Sequence, residues 1–98
     1  MKVEDHIDAI TAACRRFDVK DLWIVGSAAR GDSHANSDID FLVALNGLEQ
    51  PGVADRYFDL HDFLEHELNS HVDLIEESAL SNPYFAASIY RDKKRIYG

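Results

Sequence analysis

Asp38 and Asp40 are the residues whose types and spacing point most directly to chemistry. They open a run of strand-forming residues, 38–45, and side chains two positions apart on a strand point to the same face. Two neighbouring carboxylates repel each other unless a cation lies between them. Oxygen-only ligands suit Mg²⁺, which proteins bind through one or two carboxylates together with substrate phosphates. The pair therefore predicts a magnesium site that also receives a nucleotide.

Gly26 and Ser27 lie upstream of this pair, with ten residues between Ser27 and Asp38. They follow the apolar run 22–25 and precede a short segment, ending at Arg30, that can form a helical turn. A glycine lets the backbone approach a phosphate closely, and the N–H groups at the start of a helix bind anions. The alternative is an ordinary strand-to-helix turn with Ser27 as its N-cap. The spacing to the two acids favours the phosphate site, to which Arg30 adds positive charge.

Asp73 supplies a third carboxylate. It lies within a short strand pattern, 71–75, and an acid among apolar strand residues is costly to bury without a partner. The alternative is a surface-facing aspartate on an edge strand. Given the other two acids, we interpret Asp73 as a metal ligand or general base. His71 lies two positions earlier, on the same predicted face, and is either a partner of Asp73 or an edge histidine in water.

Amphipathic patterns predict the elements that position these residues. Apolar residues spaced three or four apart predict helices over 3–17 and 53–68, and Pro83 starts a third helix that runs to about Arg91. The polar segment 31–37 predicts a loop. Strands are predicted over about 21–26, 38–45 and 71–75. This order predicts an α/β (α+β) fold, in which a small mixed sheet of three to four strands carries the acids and helices pack on one side.

Length and charge limit the possible functions. The 98 residues predict a single domain, 1–98, too small to add separate substrate-binding domains. The net charge of −8 argues against direct nucleic-acid binding, which needs a basic surface, and favours cationic partners. A lone cysteine, Cys14, excludes an internal disulfide framework. Because the sequence has no signal peptide and no apolar stretch of membrane length, we expect a cytoplasmic protein without membrane contact.

Other residues have simpler interpretations. His61 and His66 are five apart on the predicted helix, roughly 140° around its axis, and so do not form a zinc-binding pair. The charged run 91–95 is interpreted as a solvated helix end, since cations there complement the helix dipole. Trp23 and Tyr97 are interpreted as core or edge aromatics, with stacking on a nucleobase as the alternative.

Three strings of residues resemble a known family. Segments 25–32 (VGSAARGD), 37–41 (SDIDF) and 72–75 (VDLI) together resemble the minimal nucleotidyltransferase (MNT) domain of the DNA polymerase beta superfamily. The likeness covers nearly the whole chain. The tail, with NPYF over 82–85 and IYG over 96–98, is similar to that of MNT antitoxins paired with HEPN ribonuclease toxins.

The resemblance implies roles for the acids. In this superfamily the two strand acids bind two divalent ions, so Asp38 and Asp40 would be ligands of two Mg²⁺ ions. Asp73 matches the third acid, which ligates the ion near the acceptor or deprotonates the acceptor hydroxyl.

The resemblance also implies a substrate and a partner. Gly26 and Ser27 would hold the triphosphate of ATP, and Arg30 would steady a phosphate or the turn itself. The antitoxin branch implies a protein adenylyltransferase that moves AMP from ATP to a tyrosine of a HEPN toxin. Two alternatives stay open: a non-catalytic antitoxin that acts by occlusion, and a nucleotidyltransferase for a small cationic molecule such as an aminoglycoside.

Overall fold

The computed structural model describes residues 3–31 and 38–98, which form four helices and four strands. Most of the predicted loop 31–37, with Asp32 and Ser37 of the family strings, lies outside the described residues. Short 3₁₀ turns span Val3–His6 and Glu77–Ala79. The elements are α1 (Ile7–Arg16), β1 (Val19–Val25), α2 (Gly26–Arg30), β2 (Ile39–Leu45), α3 (Val53–Leu68), β3 (Val72–Glu76), α4 (Pro83–Asp92) and β4 (Lys94–Tyr97).

The strands form one mixed sheet in the order β3-β2-β1-β4. β1 pairs antiparallel with β2 and with β4, whereas β2 and β3 run parallel. A parallel pair needs a crossover connection, and α3 provides it. The two strands that carry the predicted acids are therefore neighbours, with β3 at the free edge of the sheet.

Alternation along the strands separates two apolar clusters. In β2, Phe41 and Val43 join the larger cluster, whereas Leu42 joins a smaller one. The larger cluster contains residues of α1 and α3, and it includes Ile10, Cys14, Leu60, Leu64 and Leu68. The smaller one contains Trp23, Val25 and Leu42 of the sheet together with Ile89 of α4. α1 and α3 thus cover one face, as predicted. α4 departs from the prediction that helices pack on one side, because Ile89 joins the apolar cluster on the opposite face, which carries the acids.

The helices follow their sequence signals closely. The long helix spans the predicted residues 53–68, and the last begins at Pro83, with the Asn82 side chain accepting from the backbone N–H groups of Tyr84 and Phe85.

Cys14 is fully buried in the core, and burial raises the pKa of its thiol to about 12. In the described part of the chain, every helix falls short of the length or apolarity that a membrane span requires.

The charged run 91–95 is interpreted from the sequence as a solvated helix end, but in the structure its last two residues belong to a strand. Lys94–Tyr97 forms β4 and pairs with β1, and Arg95 Nη1 donates to Asp21 Oδ1 at 3.1 Å. Lys93 Nζ lies 4.6 Å from the centre of the Trp23 ring. A short edge strand with two exposed cations lacks the apolar alternation that reveals a strand in a sequence. Its position is fixed by pairing with a distant strand.

Candidate active site

The parallel register of β2 and β3 places two of the three predicted acids opposite each other. Asp40 pairs with Asp73, and Asp40 also pairs with Val25 at the end of β1. Asp40 is two positions from Leu42, and Asp73 is two positions from Ile75, both of the smaller apolar cluster. Side chains two positions apart share a face, so both acids lie on the face that carries α4. The sheet thereby joins residues that are 33 positions apart in the chain into one acidic pair.

Partial burial and the neighbouring acids raise the proton affinity of Asp40. Its pKa rises from 3.8 to about 6, chiefly because partial burial disfavours the charged form. The charge of Asp73, a hydrogen bond between the two carboxyl groups and the charge of Asp38 raise it further. Asp40 is half-buried, whereas Asp38 and Asp73 are exposed. Two ionised carboxylates at this distance repel each other, and a cation bound between them would remove that repulsion.

Asp38 contributes electrostatically but stands apart from the pair. It immediately precedes β2, and within the described residues the three acids do not bring their oxygens together as one set within 4.8 Å. His61, Asp62 and Glu65 do form such a set. Two of its members, however, already bond to the backbone of β3, because His61 Nε2 lies 2.8 Å from the Val72 carbonyl and Glu65 Oε2 accepts from the Val72 N–H at 2.9 Å. We therefore assign that set to the fold.

Gly26 fits tightly against the acidic pair. Its φ of +68° lies in the left-handed region, and a Cβ there would lie 2.7 Å from Asp40 Oδ2. Helix α2 begins at Gly26, and its N-cap is Val25, without a side-chain cap. The segment is thus a strand-to-helix turn, as in the alternative interpretation, but Val25 and not Ser27 is its N-cap. Ser27 lies within the first turn of α2 and is half-buried.

A cleft of about 580 Å³ opens beside the acids. Gly26, Arg30, Asp40 and Asp73 all contribute to its wall, and so do residues of α3 and α4 that the sequence analysis did not select. These additional residues include Tyr57 and His61 of α3 and Phe85, Ser88, Ile89, Arg91 and Asp92 of α4. On α4, Phe85 belongs to the NPYF string that resembles the antitoxin tail, whereas Ser88, Ile89 and Asp92 had no sequence signal beyond the helix's own pattern.

Arg30 lies at the junction of α2 and α4. Its Nη1 donates to Asp92 Oδ2 at 2.8 Å, and both residues border the cleft. The guanidinium is thus anchored to α4 at the place where the sequence predicts a phosphate contact. Asp92, the last residue of α4, is mostly buried, with 18% of its side chain exposed.

The structure also shows the surroundings of Trp23, Tyr97, His71 and His66. Trp23 is 5% exposed within the smaller apolar cluster, and Tyr97 packs against the larger one, so both are structural aromatics. His71 is 88% exposed, and its Nδ1 lies 3.8 Å from Glu65 Oε2. It matches the edge histidine in water rather than a partner of Asp73. His66 is exposed and borders a different surface depression from the one beside the acids.

Substitution of Gly26 separates backbone strain from the tight fit at the site. Gly31 is the matched control, because its φ of +79° is equally unusual but a Cβ there meets open space. We expect Gly26→Ala and Gly31→Ala both to lose about 1 kcal/mol of folding free energy through strain. Only Gly26→Ala should also displace the Asp40 carboxylate and weaken ATP·Mg²⁺ binding measured by calorimetry. Equal ATP affinity in both variants would contradict a phosphate site at Gly26.

Asp40→Asn tests the raised pKa of Asp40. The folded protein holds this proton more tightly than the unfolded chain, so the resulting stabilisation is complete below a pH of about 4 and is lost as the pH rises through about 6. Asparagine stays neutral throughout. In EDTA, Asp40→Asn should raise Tm at about pH 8 and have little effect at about pH 3.5, where Asp40 is protonated in the folded protein and mostly protonated in the unfolded chain. An equal change at both pH values would show that the Asp40 carboxyl is not perturbed. The exposed Asp62→Asn is the control.

Comparison with known proteins agrees with this geometry. The nucleotidyltransferase domain family model matches residues 7–96. A provisionally named protein adenylyltransferase of Methanocaldococcus jannaschii is 36% identical over 77 residues, which cover 79% of this chain and 76% of that protein.

Two solved structures share the fold. A provisionally assigned minimal nucleotidyltransferase superposes with a TM-score of 0.80 at 26% identity, covering 96% of this chain and 95% of that one. A complex of tri-AMPylated HEPN toxin from Shewanella oneidensis with an MNT antitoxin matches with a TM-score of 0.68 at 18% identity, covering 97% and 71%. The fold, the family match over most of the chain and the curated relative agree: this chain belongs to the nucleotidyltransferase domain family.

Proposed function

We propose that this protein is a Mg²⁺-dependent adenylyltransferase that moves AMP from ATP to a tyrosine hydroxyl of a HEPN-type toxin. The observation that carries the proposal is the placement of Asp40 opposite Asp73, beside the glycine turn at Gly26. The 36% identity to a curated relative named as a protein adenylyltransferase supports the reaction class. The fold shared with the antitoxin of an AMPylated toxin complex supports the partner.

The donor set fits divalent ions of the magnesium type. Asp38, Asp40 and Asp73 offer only carboxylate oxygens, the ligands that hard cations prefer. Partial burial, followed by the charges of Asp73 and Asp38, raises the pKa of Asp40 to about 6, and a bound cation would favour its ionised form. These three residues would hold two Mg²⁺ ions. When bound, the ions neutralise phosphate charge and stabilise the attacking and leaving oxygens.

The remaining residues bind ATP and handle the acceptor proton. The backbone at Gly26 and Ser27 approaches the triphosphate, with Arg30 beside it. The acceptor hydroxyl attacks the α-phosphorus in line, the new O–P bond forms, and the bond to the β-phosphate oxygen breaks to release pyrophosphate. The exposed Asp73 carboxylate accepts the hydroxyl proton.

Charge and cleft shape favour a protein acceptor. The net charge of −8 suits a partner with a basic face, as expected of an RNA-cutting toxin. Exposed apolar side chains, Tyr84 at 87% and Phe85 at 49%, lie on α4, and Phe85 also borders the cleft. A macromolecular acceptor can cover such residues, whereas a small cationic drug leaves them in water.

Intact-mass spectrometry tests this function. The purified protein and a purified HEPN toxin from the same source are incubated with ATP and Mg²⁺, and the toxin is weighed. We expect its mass to increase by one or more AMP groups, with Mn²⁺ replacing Mg²⁺ and Zn²⁺ failing to do so. EDTA should abolish the increase. An unchanged toxin mass with Mg²⁺, or full modification after chelation, would contradict the proposal.

A further inference from the structure

Three side chains of α3 cover the free edge of β3. Tyr57, His61 and Glu65 follow each other at intervals of four residues, so they form one row along the helix, here named the α3 row. β3 is the terminal strand on its side of the sheet, and an uncovered edge presents unpaired backbone groups.

The pairing with β2 determines which backbone groups of β3 face this edge. The Ile39 N–H donates to the His71 carbonyl at 3.0 Å, and in a parallel ladder alternate residues bond to the same neighbour. The backbone groups of His71 and Asp73 therefore face β2. Those of Val72 and Leu74, which flank Asp73, face away from it.

The α3 row bonds to those outward-facing groups. Glu65 Oε2 accepts from the Val72 N–H at 2.9 Å, and His61 Nε2, as the N–H tautomer, donates to the Val72 carbonyl at 2.8 Å. The Tyr57 hydroxyl donates to the Leu74 carbonyl. The row thus forms hydrogen bonds with both outward-facing backbone groups of Val72 and with the carbonyl of Leu74. The row replaces part of the ladder that a further strand would provide.

Burial and hydrogen bonding shift the pKa values of Tyr57 and Glu65 in the directions that favour these bonds. Burial, followed by the negative charges of Asp73 and Glu76, raises the pKa of Tyr57, so its hydroxyl stays protonated and donates. The bond from the Val72 N–H is the main cause that lowers the pKa of Glu65, so this side chain stays an ionised acceptor.

We propose that the α3 row is a set of positioning residues that fixes the backbone on both sides of Asp73 and thereby orients its carboxylate towards the acceptor. This inference rests on the proposed function, because it assigns Asp73 to the acceptor side of transfer. Val72 and Leu74 are buried in the core, so their side chains already anchor β3. The row adds control over the backbone direction at the exposed acid between them.

Single-atom and donor-retaining variants test the α3 row kinetically. Tyr57→Phe removes only the hydroxyl, and His61→Leu removes the donor, whereas His61→Gln retains an N–H donor of similar reach. We expect Tyr57→Phe and His61→Leu each to lower kcat about tenfold with KM for ATP unchanged. His61→Gln should restore most of the activity, and His66→Leu, outside the cleft, should have no effect. Unchanged kcat in both loss variants, or no difference between His61→Leu and His61→Gln, would overturn the proposal.

Amide hydrogen exchange tests the row without any catalysis. Glu65→Ala should accelerate exchange at the Val72 amide, and Glu65→Gln, which keeps an acceptor oxygen, should preserve protection. Unchanged exchange in Glu65→Ala would overturn the row whatever the activity. Altered exchange with unchanged kcat would reduce the row to a structural edge cover and also overturn the positioning role. If the wild type transfers no AMP although exchange responds as expected, the proposed function fails, and with it the positioning role, but the backbone contacts stand.

Discussion

Replacement of Asp40 by alanine is expected to reduce AMP transfer at least about a thousandfold while the protein stays folded. Asp40 lies at the centre of the site, opposite Asp73 and in contact distance of the Gly26 turn. Removing its carboxylate deletes a proposed metal ligand, and it also relieves repulsion within the acidic pair. The folded protein should therefore keep or increase its Tm in EDTA, and a steady-state transfer assay should show near-complete loss.

The control for this variant is another acid outside the pair. Asp62→Ala changes the net charge equally, but the Asp62 side chain is 80% exposed on α3. It should retain full activity. Asp38→Ala should behave like Asp40→Ala, because Asp38 shares the predicted metal. Wild-type transfer by either Asp38→Ala or Asp40→Ala would contradict a metal site built from these acids.

Asp73→Asn is expected to separate ATP binding from transfer. Asparagine keeps the size of the side chain, but it cannot take the acceptor's proton and is a weaker metal ligand. ATP affinity measured by calorimetry should stay close to that of the wild type, because Gly26, Ser27, Arg30 and Asp40 remain. Transfer to the toxin should fall by a factor of about one hundred or more.

The same variant distinguishes catalytic neutralisation from occlusion in cells. If AMP transfer neutralises the toxin, Asp73→Asn should still bind it in a pull-down but should not rescue growth of toxin-expressing cells. Asp62→Asn should rescue growth as the wild type does. Full rescue by Asp73→Asn with no AMP on the toxin would show that binding alone neutralises the partner.

Much of the fold was predictable because its signals are local. The helix over 53–68 follows from apolar residues repeated at helical spacing, and the start at Pro83 follows from Asn82 as a cap. The four-stranded mixed sheet agrees with the predicted class. Asp40 could be selected from its spacing to Asp38, and Asp73 because an acid within an apolar strand pattern is unusual. Only the parallel register places Asp40 and Asp73 opposite each other.

The parts that sequence reasoning missed depend on distant pairings. β4 carries exposed cations and is a strand only because β1 is available beside it. Tyr57 and His61 looked like ordinary positions on an amphipathic helix, since their bonds to β3 depend on which way that edge strand faces. The packing of α4 onto the acid-bearing face depends on Ile89 joining the apolar cluster that Trp23, Val25 and Leu42 form on that face. Sequence periodicity identifies an apolar helix face but not the face of the sheet that it covers.

The most direct test of the central claim follows the two ends of ATP separately. The protein and its toxin are incubated with Mg²⁺ and ATP that is radiolabelled on either the α-phosphate or the γ-phosphate, and the toxin is separated by denaturing electrophoresis. Adenylyl transfer predicts α-label on the toxin, with γ-label released as pyrophosphate. The Asp40→Ala variant should leave the toxin unlabelled. Label on the toxin from the γ-phosphate, or no label from either position, would contradict the account.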